Sequence, residues 1–166
     1  LFSSLTLVDI TANPNVEGVA RINAFMGQHV EDGFASMDEA AEVIGGYTRN
    51  RTRRGPTDSL SRYLRKGADG RYRWHWDPAL MASFTITDPL YRERMAKAAQ
   101  SLSLPVHLVR GGASDLVGPE DAKAFLELVP HADYTDIAGA GHMVVGDRND
   151  AFSDAVIAFL KTHRHG

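Results

Sequence analysis

Cysteine is absent from the chain, which excludes a disulfide framework, a zinc–thiolate site and a cysteine nucleophile. Serine is present, yet no serine stands in a G-x-S-x-G frame, so the strained turn that exposes a serine nucleophile is not written into these residues. No apolar run approaches the roughly 18 residues that a membrane helix needs, and the first residues lack the basic and apolar segments of a signal peptide. With no cysteine either, the expectation is a cytoplasmic protein that does not engage a membrane. Charge of one sign is also scarce: the net charge is −3, which leaves no electrostatic footprint for nucleic acid. Arg49, Arg51, Arg53 and Arg54 form a local basic cluster, read as a solvated face or loop. The chain opens on Leu1 and moves at once into strand-like sequence, so it is expected to begin partway through a larger protein.

What is present is ordinary for a globular domain: 166 residues, 43% hydrophobic and 23% charged, enough for one real core. Leu5-Thr-Leu-Val-Asp9-Ile reads as a buried strand that leaves its sheet through Thr11-Ala-Asn-Pro14. From Val16 to about Gln100 the pattern is helical and irregular. Ser36-Met-Asp-Glu39 is a capping box that opens a helix to about Gly45. Asp58 opens a short helix that Gly67 would end, and Asp69-Gly70 turns the chain into an extended Arg71-Tyr-Arg-Trp74-His-Trp76 run. Tyr72, Trp74 and Trp76 share one side of that run. They either anchor this region to the main body or, for Trp76 and Trp74, line a substrate pocket.

Asp88-Pro89 starts an amphipathic helix to about Ser101. Thereafter strand and helix alternate: Val106–Val109, a helix from Pro119, Tyr134–Ile137, and a helix from about Asp147 to His163 with a stripe of Ala151, Phe152, Ala155, Val156, Phe159 and Leu160. Short loops between such units imply a parallel sheet with helices on its faces, and ligands bind beyond the carboxyl ends of the strands.

Two loops lie at those ends. Arg110-Gly-Gly-Ala-Ser-Asp115-Leu-Val follows one strand, Gly139-Ala-Gly-His142-Met the next, and the two are expected side by side. A histidine becomes a dependable base when a carboxylate holds one ring nitrogen protonated. Asp115 is placed for that task and His142 for the base. Asp9 is a rival for the acid, since it too ends a strand, although an Asp there more often bonds neighbouring backbone amides. His29, His107, His131, His163 and His165 lack a comparable carboxylate frame. His29 with Asp32, or His163 with His165, would supply two metal ligands with no third, so no metal and no cofactor is expected.

These two loops, with Pro130-His-Ala between them, resemble the C-terminal portion of the α/β-hydrolase superfamily, in its carboxylesterase and haloperoxidase-type branch. The resemblance runs along essentially the whole chain. It implies an α/β fold: the C-terminal part of an α/β-hydrolase parallel sheet with a helical cap insertion. Residues 1–15 would be a sheet strand, 16–100 the cap and return helix, and 101–166 the core that carries acid and base. It also implies that five strands, the oxyanion loop and the nucleophile lie in an N-terminal half outside this sequence, upwards of about 100 residues at ~30 per βα unit.

The implied activity is hydrolysis of a small carboxylic ester by an upstream serine. Asp115 would orient His142, with Leu116, Val117 and Met143 along the acyl pocket and Trp76 a further substrate contact. An upstream Asp nucleophile, as in epoxide hydrolases or dehalogenases, is the alternative; Tyr47 or Tyr63 could then activate an epoxide oxygen. A third reading is a non-catalytic piece that needs its N-terminal partner, which would cover the sheet edge otherwise left unpaired.

Overall fold

Leu5–Val8 (β1), Leu64–Lys66 (β2), Tyr72–Trp74 (β3), Val106–Gly111 (β4) and Asp133–Ile137 (β5) are the strands of the computed structural model, which describes residues 2–47, 57–79 and 88–163. The basic cluster from Arg49 to Arg54 and His165 lie outside the described residues. The helices are Val16–Gly27 (α1), Met37–Tyr47 (α2), Pro89–Gln100 (α3), Pro119–Leu128 (α4), Val144–Asp147 (α5) and Asn149–Thr162 (α6), with a 3-10 helix at Thr57–Arg62. The chain divides into two compact units, Leu1–Val19 with Thr85–Gly166, and Ala20–Phe84.

In the first unit β1, β4 and β5 form a parallel sheet in the order β1-β4-β5, with Leu5 opposite Val106 and His107 opposite Asp133. All six residues of β4 are buried, as a central strand covered on both faces must be. On one face, α6 packs Ala151, Phe152 and Ala155 against Val8, Val109, Ile137, Ala140 and Val144. On the other, Leu5 and Leu7 join α3 and Phe125 of α4 around an apolar pocket of about 310 Å³. Each aliphatic side chain fully withdrawn from water contributes roughly 1.5–3 kcal/mol. The inward stripe of α6 is narrower than its sequence suggests, because Leu160 is left 47% exposed at the end of the helix.

Local chemistry sets the helix starts. The Asp88 carboxylate accepts from the Leu90 amide at 2.9 Å and Pro89 opens α3, which offsets one orphan donor at an end where proline costs nothing. This helix belongs to the sheet-bearing unit, and the inserted unit is Ala20–Phe84.

In the second unit the Ser36 hydroxyl accepts from the Glu39 amide at 3.1 Å, and the Glu39 carboxylate reaches back to the amide of Ala35. β2 and β3 pair antiparallel across a turn where Gly70 takes φ +82°. Asp69 accepts from the Arg71 amide and pairs with Arg73 at 2.7 Å; the Arg73 guanidinium, followed by that amide, holds the Asp69 carboxyl down to about 2. The helix expected from Asp58 to Gly67 is corrected here. The 3-10 helix stops at Arg62, because Leu64 enters the Phe34–Ala40 cluster and pairs with Trp74, and strand pairing with burial overrides local propensity. Gly67 instead donates its amide to Arg71 in the hairpin turn.

Candidate active site

Parallel pairing delivers the carboxyl ends of β1, β4 and β5 to one edge. At that edge the Arg110 and Gly139 loops lie against each other, as their glycines require. Gly112 donates its amide to Ile137 at 2.9 Å and Ala113 to Ala140 at 2.8 Å. A Cβ on Gly111 would lie 2.2 Å from the Gly141 carbonyl oxygen, so only glycine allows the approach. Gly139 takes φ +73° and turns the histidine loop, and the Asp147 carboxylate fixes that loop by accepting from the Gly141 amide at 2.9 Å.

The acid that meets the imidazole is Asp9. Its Oδ2 accepts from His142 Nδ1 at 2.8 Å, with the Asp9 side chain fully buried and that of His142 one third exposed. Asp9 extends β1 by donating its amide to Val109 at 2.7 Å, then adopts φ +51°, a left-handed conformation that Asp tolerates better than most non-glycine residues. That bend lays the carboxylate across the tip of β4. There Oδ1 accepts from the Gly111 amide at 2.9 Å and Oδ2 from the Ser114 hydroxyl at 2.6 Å. Three donors on a carboxylate with no water contact are what its burial demands.

The pairing expected of Asp115 is therefore corrected. Asp115 is exposed on the turn after β4, while Ser114, its neighbour, faces the buried acid. The physical reason lies in the sheet order: β4 is flanked by both other strands, and the bend at Asp9 carries the carboxylate from the tip of β1 across that of β4. Leu116 and Val117, expected along an acyl pocket, are 5% and 0% exposed and pack as core. Their short spacing from the turn buries them under it, and the Val117 carbonyl accepts from Arg110 Nε at 2.7 Å. Met143, beside the imidazole in sequence, is 44% exposed. Trp76 belongs to the second unit, stacked on Trp74 with ring centroids 6.2 Å apart.

With Nδ1–H given to Asp9, Nε2 is left with its lone pair, and it makes no hydrogen bond to any described residue. The pair can accept a proton and have the resulting imidazolium stabilised by a buried carboxylate. A second histidine–carboxylate pair went unseen in the sequence: His163 Nε2 lies 2.9 Å from Asp133 Oδ2. Here the carboxylate is half exposed rather than buried, and the pair ties the end of α6 to β5. Among the described residues no group of three His, Cys, Asp or Glu could hold a metal ion, and no helix is long and apolar enough to cross a membrane.

No protein-family model matches the chain. A stretch of 73 residues, 44% of the chain, is 38% identical to 4% of the polyketide synthase ThaQ of Burkholderia thailandensis. Among solved structures, E-2-(acetamidomethylene)succinate hydrolase superposes with a TM-score of 0.80 at 22% identity, over 97% of this chain and 58% of that one. An α/β hydrolase from Novosphingobium aromaticivorans gives 0.66 at 18% identity, over 96% and 57%. The thioesterase domain from the curacin biosynthetic pathway gives 0.67 at 20% identity, over 94% and 58%. The chain thus spans a little over half the length of each of these structures. Its parallel sheet, its inserted unit and these superpositions agree: the chain has the fold of the C-terminal part of an α/β hydrolase.

Proposed function

We propose that this chain supplies the base and the acid of an esterase whose nucleophile, a serine, lies on a segment outside the sequence given. His142 takes the serine proton at Nε2 and returns it to the leaving alcohol, while Asp9 holds the imidazole in the required tautomer and stabilises its charged form. The single observation that carries the reading is the 2.8 Å bond between Asp9 and His142. The exposed Met143 is the candidate contact for the acyl group. The test is to express the chain with and without an N-terminal half that carries a G-x-S-x-G elbow, and to follow hydrolysis of a nitrophenyl ester. Turnover is expected only in the complete form. Equal activity from the 18.2 kDa chain by itself would overturn the division of labour.

A thioester is the second substrate class worth assaying. It is favoured by the likeness to part of a polyketide synthase and to a thioesterase domain. The chemistry asked of His142 is the same, with a thiol in place of the alcohol as leaving group.

A further inference from the structure

Among the described residues Ser114 is the side chain that hydrogen-bonds the buried acid without belonging to the acid–base pair, and its hydroxyl has no freedom left. A serine oxygen offers one hydrogen and two lone pairs. At Ser114 both lone pairs are taken, by the amides of Leu116 at 3.0 Å and Val117 at 3.2 Å. The hydrogen is therefore committed to Asp9 Oδ2, at 2.6 Å. That is the same oxygen to which His142 Nδ1 donates, while the Gly111 amide holds the other. The turn that presents the hydroxyl is itself anchored: Ser114 donates its amide to Gly111, and the buried Arg110 guanidinium binds the carbonyl of Val117 and the carboxylate of Asp136.

We infer that Ser114 is a positioning residue, which locks the rotation of the Asp9 carboxylate and so keeps one oxygen aimed at His142 Nδ1. The inference rests on the acid–base reading above. It extends that reading by making the turn after β4, rather than Asp115 on it, the support of the acid. Without the hydroxyl, Oδ2 loses one of two donors, the carboxylate can swing about its last side-chain bond, and the imidazole loses its fixed acceptor. A charge-assisted hydrogen bond is strong enough that its loss should be read as a change of about tenfold or more.

The experiment is nitrogen-15 and proton NMR of the chain labelled at histidine, following solvent exchange of the His142 Nδ1 proton. Exchange is expected to quicken about tenfold in Ser114→Ala and to stay slow in Ser114→Thr, which keeps the hydroxyl. Ser114→Cys, close in size with a weak donor, should also quicken exchange, and decides the matter if the alanine variant does not fold. Asp9→Asn separates the two levels of argument. If it leaves the proton slow, the pairing of Asp9 with His142 is wrong; if it quickens exchange while Ser114→Ala and Ser114→Cys do not, the pairing stands and the role given to Ser114 is overturned. In the complete enzyme Ser114→Ala should lower kcat with KM unchanged, a split that a loss of substrate contact would not produce.

Discussion

Asp9 and His142, 133 residues apart in the chain, meet through a 2.8 Å bond between carboxylate and imidazole. The contact exists because β1 and β5 flank β4 in one parallel sheet and all three end at the same edge. It depends as much on the left-handed bend at Asp9, which turns the side chain from its own strand toward the next.

His142→Ala in the complete enzyme should cut kcat by about a thousandfold or more, since general base and general acid are lost together. Steady-state kinetics on a nitrophenyl ester measure it. Turnover at the original rate would retire His142 as the base.

Asp9→Asn and Asp115→Asn discriminate between the two candidate acids. The first should lower kcat by about 10³- to 10⁴-fold, because the amide can donate to the ring and favour the wrong tautomer. The second should leave kcat within about threefold, as expected for an exposed side chain when Asp9 holds Nδ1. The reverse outcome would reinstate Asp115.

Gly111→Ala should destabilise the fold by about 1–3 kcal/mol, the usual cost of forcing an atom into packed structure. The added carbon would lie 2.2 Å from the Gly141 carbonyl oxygen, and the histidine loop must move to admit it. Urea denaturation gives the number. An unchanged midpoint would mean that the two loops do not approach as described.

Stability should fall with pH through His107. This side chain is buried between the Phe159 ring, at 4.8 Å, and Thr135, whose hydroxyl meets Nε2 at 2.9 Å. Burial pushes its imidazole below the ordinary value of 6.5, only partly opposed by Asp133 and reinforced by His163. The unfolded chain therefore binds a proton near pH 6.5 that the folded chain refuses. The stability contribution is fully present above 6.5 and is lost as the pH falls toward the lowered folded value. Urea midpoints on both sides of 6.5 should show this slope in the native chain and a shallower one in His107→Gln; equal slopes would assign the effect elsewhere.

Much of the sheet was legible in the sequence, because β4, β5 and α6 announce themselves by period and by their turn residues. Asp88-Pro89, Ser36-Met-Asp-Glu39 and Asp69-Gly70 behave as local chemistry dictates, since each satisfies its own backbone within a few residues. The choice between Asp9 and Asp115 was not local. Both end a strand, and nothing in either stretch states that the chain bends at Asp9 or that the Ser114 hydroxyl turns inward. The available signal was an acid closing the apolar run Leu5–Val8, which needs several donors if buried. Likewise Leu116 and Val117 read as apolar residues beside a catalytic candidate, and only the packing of the turn reveals them as core. Asp133 and His163 came together for the same non-local reason, through α6 returning along β5.

The remoteness of β1 from β4 also sets a clock for synthesis. Asp9 leaves the ribosome long before the imidazole that will meet it, a delay on the order of ten seconds at 5–20 residues per second. Until β4 emerges, the edge of β1 that it covers is unpaired, and until His142 emerges the acid has no counterpart. A nascent chain of this protein is thus most in need of a chaperone between the emergence of Asp9 and that of His142, and ribosome-bound intermediates stalled before residue 106 should be the ones that aggregate.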